Sequence, residues 1–235
     1  MSKKIAIMQP YFFPYIGYFQ LINSADEFII YDNIKYAKKG WINRNRILSN
    51  GKDSLLTLPI KKDSDFLNVV DRQLSSGWEK ERTKILNQIV NSYRKSPHFG
   101  SAFDVIEKSI LCANTNLFDF IHYGLLQIND YLGIKTKIIK SSDVCIDHSL
   151  KSKDKVVEIC KNRNASIYIN PIGGTSLYQK EEFKDNGLDL YFIKSNPVLY
   201  KQFTEDFIPW LSIIDIMMFN SKDEIQNHLK NFSLV

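Results

Sequence analysis

Two apolar runs with a helical pattern between them set the tightest limit on what this chain can fold into. KIAIM, residues 4–8, reads as a short buried strand, and Gln9-Pro10 ends it because proline brings no N–H to a central ladder. Ile16, Phe19, Leu21 and Ile22 fit a helix over residues 16–25, and EFIIYD at 27–32 reads as a second strand. Strand, loop, helix and strand within about thirty residues is the size of a βαβ unit, which implies parallel strands in one sheet.

Residues 33–75 depart from that pattern. Turn signals at Lys39-Gly40 and Asn50-Gly51, with the strand-like SLLTLPI, predict an inserted hairpin or flap carrying GWINRNRI. Residues 78–132 read as three helices, separated by Pro97 and by residues 114–116. Alternation then returns: KTKIIKSS, SIYIN and LYFIK as strands, KDKVVEICKNRN as a helix. Residues 207–219 are apolar on nearly every face and are expected as one buried helix, and Ser221 is the expected cap of the last helix. The fold class is α/β: a mostly parallel, Rossmann-like sheet flanked by helices, with an inserted hairpin and a helical block. Residues 1–235 are expected to form one domain.

Composition narrows the function classes. A net charge of +5 spread over scattered Lys and Arg gives a mild preference for anions, without the basic patches of a nucleic-acid binder. Three cysteines at wide spacings, with no CxxC pair, suit reduced thiols in a cytoplasmic protein. No eighteen-residue apolar stretch occurs, and the first residues lack a small-residue cleavage site, so neither a transmembrane segment nor secretion is expected. His98, His122, His148 and Cys145 show only a lone Cys-x-x-His spacing, hence no metal site is expected.

Four places carry polar groups in patterns suited to chemistry. The first is the loop after the opening strand, Gln9 to Tyr15, where open parallel sheets bind ligands. It holds Tyr11 and Tyr15 and leads to Gly17 and Tyr18; between Tyr11 and Phe19 stand six aromatics. In placement, Tyr15-Ile16-Gly17-Tyr18 resembles the His-x-Gly-His loop of nucleotidyltransferase-like α/β enzymes, with both histidines absent. Gly17 suits a close approach of backbone to ligand, and the tyrosines suit stacking on a base or sugar; an aromatic plug filling the core is the alternative. The second is GWINRNRI. In an extended strand Arg44 and Arg46 share one face and Asn43 and Asn45 the other, with Trp41 and Ile42 anchoring the segment inward. Paired guanidinium forks suit a phosphate or carboxylate, and a solvated hairpin edge is the bland reading.

The third is YINPIGGTSLYQ. Asn170 ends a strand, Gly173-Gly174 form a turn, and Ser176 with Gln179 stands at capping-box spacing, an arrangement that leaves N–H groups outward for an anion. The fourth is IPWLSIIDIMMF. Asp215 lies in an apolar helix, where a carboxylate needs a partner or a task, and Ser212 is one turn earlier on the same face.

MQPYFFPYIGYFQLI, IIYDNIKYAKKGWINRNRI, YINPIGG with LYQKEEF, and FIPWLSIIDIMMFNS together resemble the WbqC-like family along essentially the whole chain. That resemblance implies a place in bacterial O-antigen and related surface-polysaccharide assembly, with a suggested glycine-transferase role. It leads to the expectation of an N-aminoacyltransferase or ligase acting on a nucleotide-linked amino sugar, with an amino acid or other acyl donor as second substrate. The co-substrate is open between ATP and another activated acyl donor, and a homo-oligomer remains open. In that reading Asp32 or Asp215 accepts the proton of the attacking ammonium and Arg44 is essential for turnover. Asn43, Asn170 and Gln202 donate hydrogen bonds to sugar hydroxyls or to the developing oxyanion. The competing expectation is a catalytically silent nucleotide-sugar binder or scaffold on the same fold.

Overall fold

The computed structural model describes residues 2–235. The fold is α/β, with a six-stranded, mostly parallel sheet flanked by eight helices and a separate antiparallel hairpin. β1 (Lys4–Met8) and β2 (Glu27–Ile30) pair in parallel, joined by α1 (Ile16–Asn23) as the opening pattern predicts. The hairpin β3 (Arg44–Ser49) and β4 (Lys52–Thr57) follows, turning at Asn50-Gly51, where both residues have positive φ. The helical block is α2 (Trp78–Tyr93), α3 (Phe99–Ile110) and α4 (Leu117–Leu132). Asn116 caps α4 by accepting the Asp119 amide, and Gly133 ends it with φ 70°.

The remaining sheet elements are β5 (Lys137–Lys140), α5 (Ser152–Asn162), β6 (Ile167–Pro171), α6 (Lys180–Lys184) and β7 (Asp189–Ser195). Beyond them come α7 (Ile213–Phe219), α8 (Lys222–His228) and β8 (Phe232–Leu234). The strand order is β5-β2-β1-β6-β7-β8, which is the doubly wound order in which the chain winds outward one way from β1 and then the other from β6. The crevice between the carboxyl ends of β1 and β6 is therefore the topological switch point. α1, α4 and α7 contribute Phe19, Phe118 and Met217 to the core on one face, whereas Val156 of α5 and Phe183 of α6 fill the other.

Two expectations need correction, and one strand stands outside them. The helix expected at 207–219 begins only at Ile213, because Trp210 sits at φ 61°, which no α-helix contains, and Ser212 caps the helix by accepting the Ile214 amide at 3.2 Å. The capping box expected between Ser176 and Gln179 does not form: α6 starts at Lys180, with Gln179 at its cap and no side-chain bond there. β8 was not anticipated; its three residues add antiparallel to β7 at the sheet edge. Ser221 does form a reciprocal box with Glu224 at the start of α8.

Candidate functional site

The opening loop is held in place by backbone and side-chain bonds from two other segments. Asn45 of β3 donates its Nδ2 to the carbonyls of Phe12 at 3.1 Å and Phe13 at 2.9 Å. Ser212 donates its hydroxyl to the Phe13 carbonyl at 2.7 Å, and the Ile213 amide donates to the Pro14 carbonyl at 2.9 Å. Phe13 is thereby fixed at φ 40°, a left-handed conformation that a bulky side chain adopts only when its surroundings over-determine it. Phe12 and Phe13 themselves are core residues, so the aromatic loop is part plug and part wall.

The wall is formed by Tyr11 and Tyr15. With Trp41, Arg46 and Trp210 they enclose a chamber of about 160 Å³. Tyr15 and Trp210 meet edge to face at 5.8 Å and also border a second, larger chamber of about 560 Å³. Val198, Leu199, Pro209 and Ile216 make that chamber mainly apolar, and Lys194, Ser195 and Asn196 bring polar groups from the carboxyl end of β7. Tyr15 is also the cap residue of α1 and offers no side-chain bond; its carbonyl accepts the Tyr18 amide at 3.0 Å. Two chambers meet at one aromatic pair, between the loop after β1 and the segment that follows β7, and make a concave candidate site.

Arg46 is the cation of the smaller chamber. Its guanidinium lies 5.9 Å from the Trp41 ring centre, bonds Asp53 at 3.0 Å and reaches the Trp210 carbonyl at 3.3 Å. Trp41, expected to anchor the strand inward, is instead half exposed as a chamber wall, and Ile42 alone is buried. Arg44 does not share the chamber. It donates to the carbonyls of Gly40 at 3.1 Å and Lys39 at 2.7 Å and borders a separate polar pocket with Asn43. Asn43 accepts the Tyr36 hydroxyl and donates to the Leu58 carbonyl, both at 2.8 Å. The two arginines thus alternate as the sequence implies but face different cavities.

The other expected site residues are dispersed around the sheet end. The Gln9 carbonyl accepts the hydroxyl of the buried Tyr18 at 2.8 Å. Gly17 is needed for a close approach, though by this chain's own side chain: a Cβ there would collide with the Tyr15 ring. Gly174 likewise underlies the Asn170 amide, whose Oδ1 accepts the Tyr168 hydroxyl at 2.9 Å. Gly173 is open and Ser176 is exposed on the same turn.

The two carboxylates differ in electrostatics. Burial works to raise the pKa of Asp32, but donation from the hydroxyls of Ser142 and Ser141 and from the Ser142 amide outweighs it and holds the group below the usual carboxylate range. For Asp215 burial wins: its pKa is raised despite bonds from Tyr200, Tyr93 and Gln202. Gln202 also donates to the Ile208 carbonyl, so it ties the 196–212 segment to α7. Trp210, Tyr200 and the chamber-lining 196–199 segment were not singled out from sequence; the IPW run after a loop-rich stretch is the only signal they leave.

Among the described residues no group of three or more His, Cys, Asp or Glu stands close enough to hold a metal ion, and no helix is long and apolar enough to cross a membrane. No solved structure matches the chain. An uncharacterized protein of Mycobacterium tuberculosis is 29% identical over 232 residues, covering 97% of this chain and 98% of its own length. The sequence model of the WbqC-like protein family matches residues 9–227, and the chain belongs to that family.

Proposed function

We propose that this protein is an N-aminoacyltransferase or ligase that joins an amino acid, glycine in the simplest case, to the amine of a nucleotide-linked amino sugar in bacterial surface-polysaccharide assembly. The observation that supports it is the double chamber between the loop after β1 and the segment after β7, where Tyr11, Tyr15, Trp41 and Trp210 line one cavity with Arg46. Aromatic faces hold a base or sugar ring, a guanidinium holds a diphosphate, and the adjoining chamber has room for the sugar or the acyl donor. Lys194, at the border of the larger chamber, suits an anionic part of the activated acyl donor.

Amide formation needs an activated carboxyl, supplied by ATP or another acyl donor. The sugar amine attacks the acyl carbon, the activating group departs with the bonding pair, and the ammonium proton passes to a base. Asp215 is the better placed candidate, since it bonds Tyr200 at the border of the larger chamber and burial raises its pKa, whereas Asp32 borders neither chamber. A second reading, a silent binder of the same ligand, draws support from one observation: both Asp32 and Asp215 have their oxygens engaged by protein donors.

The test pairs binding with turnover. Nucleotide-activated amino sugars are screened for thermal stabilisation, then incubated with ATP and glycine and analysed by mass spectrometry for a product heavier by one glycyl residue. Stabilisation that is lost in Arg46→Ala, with product formed, supports the transferase. Stabilisation without product under any acyl donor supports the binder, and no stabilisation by any amino-sugar nucleotide refutes both.

A further inference from the structure

The pocket bordered by Arg44 is separate from the aromatic chambers and has a cation at its base that makes no direct ion pair, the nearby Asp65 carboxylate being bonded to Lys38. Arg72 follows a short turn at Val69–Asp71 and is only 2% exposed. Its Nη2 donates to the Ser64 carbonyl at 2.6 Å, while its buried Nε has no hydrogen-bond partner. None of the ion pairs among the described residues includes Arg72. A buried, unpaired guanidinium is costly, and a chain that retains one has either an undetected partner or a ligand.

The surroundings favour a ligand. Arg72 stacks at 4.8 Å on the ring of Tyr36, whose hydroxyl is already donated to Asn43, so the ring serves as a floor. The cavity above measures about 260 Å³ and is bordered by Lys38, Arg44, Lys61 and Lys62 as well as Arg72, against the single carboxylate of Asp63. Lys38 is engaged with Asp65 at 2.6 Å, which leaves two guanidinium and two ammonium groups facing one acid. Tyr36, Arg44 and Arg72 line the same cavity, and while burial raises the Tyr36 pKa the two guanidinium charges act against that rise.

We propose that this pocket is a second anion site, built to take a phosphate-class polyanion such as the di- or triphosphate of a nucleotide. One monovalent carboxylate would leave most of the positive charge uncompensated, whereas a diphosphate presents several charges and acceptors to forked donors. The site lies between the hairpin and the 68–74 segment, where Val69 and Val70 donate to the carbonyls of Ile34 and Asp32 in the segment after β2. It depends on no assumption about what fills the aromatic chambers.

The experiment is calorimetric titration of the full chain with sodium pyrophosphate at fixed ionic strength, with citrate as the comparison anion. Saturable one-site binding is expected, weakened about tenfold or more in Lys61→Ala/Lys62→Ala, whose side chains are exposed and whose loss does not threaten the fold. Arg72→Gln abolishes it; circular dichroism establishes that this variant is folded, and if it is not, the lysine pair decides. In an Arg46→Ala background, which removes the cation of the aromatic chamber, pyrophosphate binding persists and the lysine pair still weakens it. The proposal is overturned by absence of saturable binding, by unchanged affinity in the lysine variant, by loss only in Arg46→Ala, or by citrate binding as tightly as pyrophosphate. Pyrophosphate binding without amino-sugar nucleotide binding would sink the proposed function and leave this site standing.

Discussion

Tyr93 donates its hydroxyl to Asp215 across 2.8 Å, and the same oxygen accepts the Leu48 amide at 2.7 Å. One phenol on α2 thereby joins the hairpin to α7, and Asp215 passes the connection to Tyr200 and Gln202 in the chamber-lining segment. Tyr93→Phe removes a donor from a buried carboxylate and an acceptor from a buried amide together. A loss of about 2–4 kcal/mol of unfolding free energy is expected from urea titration. A loss below about 0.5 kcal/mol would mean that water enters and replaces the hydroxyl.

Gly17 separates site geometry from stability. A Cβ at this position meets the far end of the Tyr15 side chain, which can swing away, and no backbone atom stands among its nearest contacts. Gly17→Ala is therefore expected to cost about 1 kcal/mol or less while displacing the ring that divides the two chambers. Weakened stabilisation by the amino-sugar nucleotide at a nearly unchanged melting temperature checks it. Unchanged ligand response would show that Tyr15 takes no part in binding.

The sheet was legible in the sequence because its strands are continuous apolar runs punctuated by proline, glycine and asparagine, and the three helices after Trp78 because their stripes are long. β8 was not, since FSL is three residues that gain strand character only by pairing with β7. The 207–212 stretch misled because apolarity without periodicity fits a buried helix and a strained wall equally. The alternation in NRNR puts Asn43 and Asn45 on one face and the arginines on the other, yet it cannot show which face is buried or that Arg44 and Arg46 open onto different cavities. Arg72 passed unnoticed because an unpaired charge becomes visible only when burial and neighbours are known.

Trp210 combines strain with exposure. It is 59% exposed at φ 61°, so its ring contributes little to the core while its backbone stands where an L-residue is disfavoured by roughly 1–2 kcal/mol. Trp210→Gly relieves that strain and enlarges the unfolded ensemble, two effects of opposite sign that leave stability within about 1 kcal/mol of the parent. Ligand affinity is expected to fall about tenfold or more, as for loss of one aromatic stacking face. A variant that loses several kcal/mol by urea titration would assign Trp210 to the structure of the 196–212 segment and remove it from the site.

Glu27, at the start of β2, receives Arg163 in a two-point contact, Nε to Oε2 at 2.9 Å and Nη2 to Oε1 at 2.8 Å, with Lys3 at 3.1 Å. The Arg163 hydrogen bonds are the largest influence, burial opposes them, Lys3 adds to them, and the carboxyl is held below its ordinary 4.5. A group with a depressed folded pKa binds its proton more readily when unfolded. Its contribution is therefore complete above about pH 5 and disappears as pH falls through 4.5 toward the lower folded value. Glu27→Gln is expected to cost about 1–2 kcal/mol at pH 7, because the pair is largely shielded from solvent on the acidic side and its geometry is forked. Urea midpoints measured from pH 7 down to pH 3 should show the gap between parent and variant closing across that window. A gap that stays constant over the whole range would place the stabilisation in packing of the side chain and remove the ion pair from the account.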